Sequence, residues 1–133
     1  MTQDEQHLNL LSIFHYVLGG ITALFSCLPF IHVGTGLLMV FGKMDANNPP
    51  PPAVGWFFVI LGSFFILFGW VFAINMLLVG RKLKQRKSFK YCLVVAAIEC
   101  IMMPFGTILG VFTLVVLMKE PVKQLFESKQ SVN

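Results

Sequence analysis

The chain has 133 residues, enough for one domain; 56% are apolar and only 12% charged, where an average soluble domain carries about 25% charged residues. A soluble core this small buries only part of its apolar surface, so the composition excludes an ordinary water-soluble domain and points to lipid as the solvent. The net charge of +4 is concentrated, because Arg81, Lys82, Lys84, Arg86, Lys87 and Lys90 hold six of the ten basic residues. Such a knot reads as a topology signal. A nucleic-acid surface would interleave basic residues with stacking aromatics, and only Phe89 and Tyr91 are near.

The first residues, Met-Thr-Gln-Asp-Glu-Gln-His, lack a basic n-region, and no small-x-small site follows the first apolar run, so a cleaved secretory signal is not expected. Thr2 and the absence of a CaaX box argue against myristoylation and prenylation. Residues 8–42 form an apolar stretch too long for one upright span of about 20 residues and too short for two. Pro29 lies inside it and predicts a kink or break. The favoured reading is one long kinked helix; the rival is a hairpin at Pro29. Ser12, His15, Gly19, Ala23 and Ser26 or Cys27 recur at helical spacing as a small, polar stripe, the signature of a packing seam.

Residues 43–55 contain Asn47-Asn48 followed by four prolines and read as an extended connector outside the hydrocarbon. Residues 56–79 are the cleanest span, uncharged and edged by Trp56. Gly55, Gly62 and Gly69 recur every seven residues near one face, and Ala73 extends the row. Asn75 is polar within this span and needs a partner. The basic segment 81–90 is expected to be a cytoplasmic loop. Residues 91–103 are apolar except for Glu99; Pro104, Gly106 and Thr107 interrupt; 107–118 are apolar again. The tail, 119–133, places Val122, Leu125 and Phe126 on one side of a short interfacial helix. At an offset of 75, Phe14, Tyr16, Leu18, Pro29 and Phe30 line up with Phe89, Tyr91, Leu93, Pro104 and Phe105, a weak echo of helix, proline break, helix.

With the 81–90 segment inside, the Pro-rich connector is outside. Lys119, Lys123 and Lys129 draw the tail inside as well. The break at Pro104 is then a hairpin turn, with Gly106 relaxing the backbone and Thr107 capping the next helix. The expected fold is all-α: a polytopic bundle of about four membrane helices with Pro-kinked or Pro-broken segments, both ends inside.

Glu99 is the most informative residue. It lies about 15 Å along a helix from Phe89, near the bilayer midplane. A carboxylate there is expensive and faces the bundle interior. Cys92, Ala96, Glu99 and Met103 share its face. His15, on the first helix's seam, is its expected partner, since a His–Glu hydrogen bond satisfies both groups without net buried charge. The pair reads either as a register-fixing contact or as a proton or ion relay. His32, past Pro29, is a further polar candidate. His15 and His32 together raise haem, but bis-His ligation needs opposed imidazoles, and these two share one segment unless Pro29 is a hairpin. Gly106 and Gly110 complete the candidate packing positions. No Walker A, GxGxxG, HExxH or GxSxG pattern is present, and Cys27, Cys92 and Cys100 have no metal-ligand spacing. The expectation is a non-enzymatic protein without cofactor or metal. Its partners are the bilayer and another membrane protein or a second copy of itself.

The run Pro104-Phe105-Gly106-Thr107-Ile108-Leu109-Gly110-Val111-Phe112-Thr113-Leu114-Val115-Val116-Leu117, with Pro121, Val122 and Phe126 after it, resembles a recurrent segment of small uncharacterised bacterial inner-membrane proteins. It also occurs as a membrane tail on larger ones. Phe14-His15-Tyr16 with Gly19-Gly20 is similar to the first helix of such proteins. The resemblance covers about half the chain. It implies a bacterial inner-membrane location and no assigned chemistry, so it transfers no functional residue.

Overall fold

The computed structural model describes residues 2–44, 47–102 and 104–131. They form α1 (Gln3–Phe25), α2 (Pro29–Val40), α3 (Pro52–Gln85), α4 (Phe89–Glu99), α5 (Phe105–Leu117) and α6 (Glu120–Ser131), and no strand occurs among them. The fold is all-α. Two segments are long and apolar enough to cross a membrane: Gln3–Val40, with 38 residues, and Pro52–Gln85, with 34. A third exists if α5 and α6, which meet at 76°, are one span. The 11 residues of α4 and 13 of α5 correspond to about 16 and 20 Å, short of a hydrocarbon core of about 30 Å. The chain divides into two compact units, Ile21–Ala73 and Met1–Gly20 with Ile74–Asn133.

In the unit Ile21–Ala73, the single long helix expected over 8–42 is two helices. The chain does not fold back between them. Leu28 N–H donates to the Phe25 carbonyl (3.1 Å), and Phe30 and Ile31 N–H donate to those of Cys27 and Leu28 (3.1 and 3.0 Å), so i→i−3 bonds carry the backbone through. Pro29 opens α2 in its first turn, where its missing N–H costs nothing. Gly42, at φ 65°, closes α2, with Lys43 N–H donating to the Leu38 carbonyl at 2.9 Å, a left-handed C-terminal cap. The connector is shorter than 43–55, because α3 already begins at Pro52, the last of the four prolines. Its residues 45 and 46 lie outside the described residues.

The glycine row of α3 is where α2 approaches. A Cβ on Gly55 would stand 2.7 Å from the Gly36 carbonyl oxygen, and one on Gly62 would stand 2.8 Å from Val33 Cγ2. A Cβ on Gly69 would collide with the Ser26 side chain at the end of α1. Glycines at these positions let the helix backbones approach closely.

In the second unit, α1 crosses the end of α3 on small residues. A Cβ on Gly80 would lie 3.1 Å from the Ser12 carbonyl oxygen, and one on Gly19 would lie 3.1 Å from Leu77 Cδ2. α4 and α5 form a tight hairpin: Cβ atoms on Gly106 and Gly110 would fall 2.7 and 2.6 Å from the Glu99 and Ala96 carbonyl oxygens.

Leu8, Leu11, Val79, Leu83, Leu117 and Phe126 belong to one buried cluster in this unit. Val122 and Phe126 of α6 are buried and Leu125 packs beside them; Phe126 meets Phe89 edge-on at 5.6 Å. The helical period of α3 does not stop at the first arginine. Leu83, fully buried, continues its apolar face to Gln85, so much of the expected basic loop is helix. The turn itself is Arg86–Ser88, with Arg86 and Ser88 at φ 54° and 56°. Arg86 pairs with Glu5 at 2.8 Å and Lys119 with Asp4 at 3.8 Å. These contacts gather the start of α1, the end of α3 and the α5–α6 junction at one end of the unit.

Candidate polar site

His15 Nε2 and Glu99 Oε2 are 3.0 Å apart, and both side chains are fully buried. His15 sits in the middle of α1 and Glu99 is the last residue of α4, so α1 packing on the hairpin brings them together. His15 Nδ1 lies 2.9 Å from the Leu11 carbonyl oxygen. A carbonyl has no proton, so Nδ1 donates, and this fixes the ring. One proton then lies on the Nε2–Oε2 line. Either an acid O–H donates to the imidazole or an imidazolium N–H donates to the carboxylate, and in both cases the pair has no net charge. Glu99 Oε1 has no hydrogen-bond partner among the described residues. One turn before His15, Ser12 Oγ donates to the Gly80 carbonyl at 2.6 Å, locking α1 to α3 where the glycine lets them approach.

The other polar candidates do not join this pair. Asn75 Oδ1 accepts the Tyr91 hydroxyl at 2.6 Å. His32 is exposed and stacks on Phe58, ring centroids 6.2 Å apart. Ala23 is half-buried, while Gly19, Gly62, Gly69, Gly106 and Gly110 all stand at close helix approaches. Met103, expected on the Glu99 face, lies outside the described residues. Of the basic knot, Arg81, Lys84, Lys87 and Lys90 are exposed. Lys82 donates to Ser88 Oγ at 3.1 Å and sits 4.5 Å over the Tyr91 ring, a cation–π contact.

Three partners were not singled out from the sequence as such: the Leu11 carbonyl, Gly36 and Gly80. The first follows from i−4 spacing on a helix. Gly36 shares a helical row with Pro29 and Val33. Gly80 was hidden by its position next to Arg81. No group of three or more His, Cys, Asp or Glu able to hold a metal occurs among the described residues. A cavity of about 590 Å³ opens between the first turn of α4 and α6, lined by Lys90, Tyr91, Lys123 and Glu127 among others; it reaches neither His15 nor Glu99.

Fold and site define an all-helical chain with two or three candidate membrane spans and, among the described residues, a fully buried His–Glu pair. Comparison with protein-family models, curated proteins and solved structures returns no match.

Proposed function

We propose that this is a non-enzymatic integral protein of the bacterial inner membrane, an accessory or interaction subunit that packs with other membrane helices or with a second copy of itself. The observation behind this reading is where polarity and apolarity lie. The His15–Glu99 pair is fully buried in the interior, His15 meeting one oxygen of Glu99. Phe57, Phe64, Phe68 and Trp70 are among many large apolar side chains on the outside, with exposures from 43 to 62%. In this reading four helical segments, the α1–α2 run, α3, α4 and α5, sit in the membrane. The basic turn and both ends face the cytoplasm and the Pro-rich connector faces outward, as the distribution of Lys and Arg supports. Glu99 and His15 then fix helix register. The test is flux: vesicles reconstituted with the protein are expected to show the proton permeability of empty vesicles. A proton current abolished by Glu99→Gln would overturn the reading.

A proton- or ion-conducting oligomer is the second reading, and the unpartnered Glu99 Oε1 favours it. An acceptor left bare in the interior costs about 1–3 kcal/mol, and intramembrane carboxyls often mark proton or ion paths. A haem-binding subunit is a weaker third. Both His15 ring nitrogens are engaged, so ligating iron would break one of these contacts. The expected absorption spectrum of the purified protein has no Soret band.

A further inference from the structure

We infer that α4–α5 is a re-entrant hairpin, which enters the bilayer from the face carrying the basic turn, ends within the hydrocarbon and returns to the same face. The inference rests on the membrane reading above and adds a depth to it. Length is the first argument. Arms of 11 and 13 residues reach about 16–20 Å, roughly half to two-thirds of the hydrocarbon core. They cannot be stretched by sliding, because Gly106 and Gly110 lock α5 onto the carbonyls of Glu99 and Ala96.

The base of the hairpin is anchored. α4 starts directly after the Arg86–Ser88 turn, and α5 ends at Leu117, two residues before Lys119, which pairs with Asp4. α6 then turns away by 76° and returns Phe126 to Phe89, the first residue of α4. An amphipathic helix leaving at that angle lies along an interface rather than continuing through it.

The tip is built for hydrocarbon. Ile101 and Phe105 are 79% and 69% exposed, and no charged residue stands between Glu99 and Lys119. Irregular backbone is tolerated at membrane depth only when its polar groups are satisfied, and this turn satisfies several of its own. Ile101 N–H donates to Ile98 O (3.1 Å), Met102 N–H to Glu99 O (2.9 Å) and Thr107 N–H to Met102 O (3.1 Å). Thr107 Oγ1 donates to Cys100 O at 2.8 Å. Glu99, next to this tip, is covered by His15. The hairpin therefore delivers its one carboxyl to mid-membrane depth without opening a path to the far side.

Single cysteines test this in sealed proteoliposomes of known orientation, with Cys27, Cys92 and Cys100 replaced by alanine and a membrane-impermeant maleimide added to either side. Ile101→Cys is expected to lose labelling from both sides and to regain it in detergent. Labelling from the side opposite the basic turn would mean a full crossing, and labelling from the basic-turn side would mean a hairpin outside the lipid; either result overturns the inference. Lys84→Cys and Asn48→Cys must label from opposite sides. If both label from one side, the membrane-spanning reading itself has failed, whatever Ile101→Cys does. Should the cysteine-free background not fold, the unaltered chain serves. In bicelles the Ile101 methyl signals are expected to broaden with a lipid-borne paramagnet and not with a water-soluble one; the reverse overturns the inference.

Discussion

Replacing His15 with alanine is expected to cost about 3–5 kcal/mol of stability, the range for removing one partner of a buried pair. Glu99 is fully buried and its Oε1 already lacks a partner. The substitution takes the partner of Oε2 as well, leaving a buried carboxyl with no protein hydrogen bond. The Leu11 carbonyl retains its place in the helix, so the loss is centred on the acid. Glu99→Gln is expected to be far milder, about 1 kcal/mol, because the amide keeps the shape and can donate to Nε2. Denaturation in mixed micelles separates the two. Equal costs for both variants would show that the pair's closure is not what holds α1 to the hairpin.

The second large effect is steric. Gly110→Ala is expected to destabilise by about 1–3 kcal/mol, the usual cost of overpacking. The new methyl would meet the Ala96 carbonyl oxygen at 2.6 Å and the Cys100 amide nitrogen at 2.9 Å, both backbone atoms that cannot rotate away. Gly34→Ala is the control. A Cβ there meets nothing within 4 Å, and alanine is preferred over glycine in a helix by about 1 kcal/mol, so that variant should be neutral or slightly more stable. The same micelle titration reads both. A harmless Gly110→Ala would mean that α5 does not depend on touching α4.

These two sites also show what could be read in the residues and what could not. The helical class and the apolar segments long enough to cross a membrane follow from hydropathy. The seam spacing placed His15 and Glu99 on facing stripes, and the structure brings them to 3.0 Å. Helix ends were harder. Leu83 keeps α3 going because it is buried by tertiary neighbours, which no local pattern around Arg81–Lys84 reveals. Ser12, recognised as a small seam residue, had its partner in the Gly80 carbonyl, and a backbone partner leaves no side-chain trace in a sequence.

Everything proposed depends on acyl chains, not water, covering the long apolar faces of α1–α2 and α3. Alkaline carbonate extraction of membranes expressing the chain, followed by sedimentation of the purified protein with and without detergent, tests this most directly. The expected result is that the protein stays in the pellet at high pH and is monodisperse only with detergent present. Release into the carbonate supernatant, with a monodisperse species in plain buffer, would contradict it.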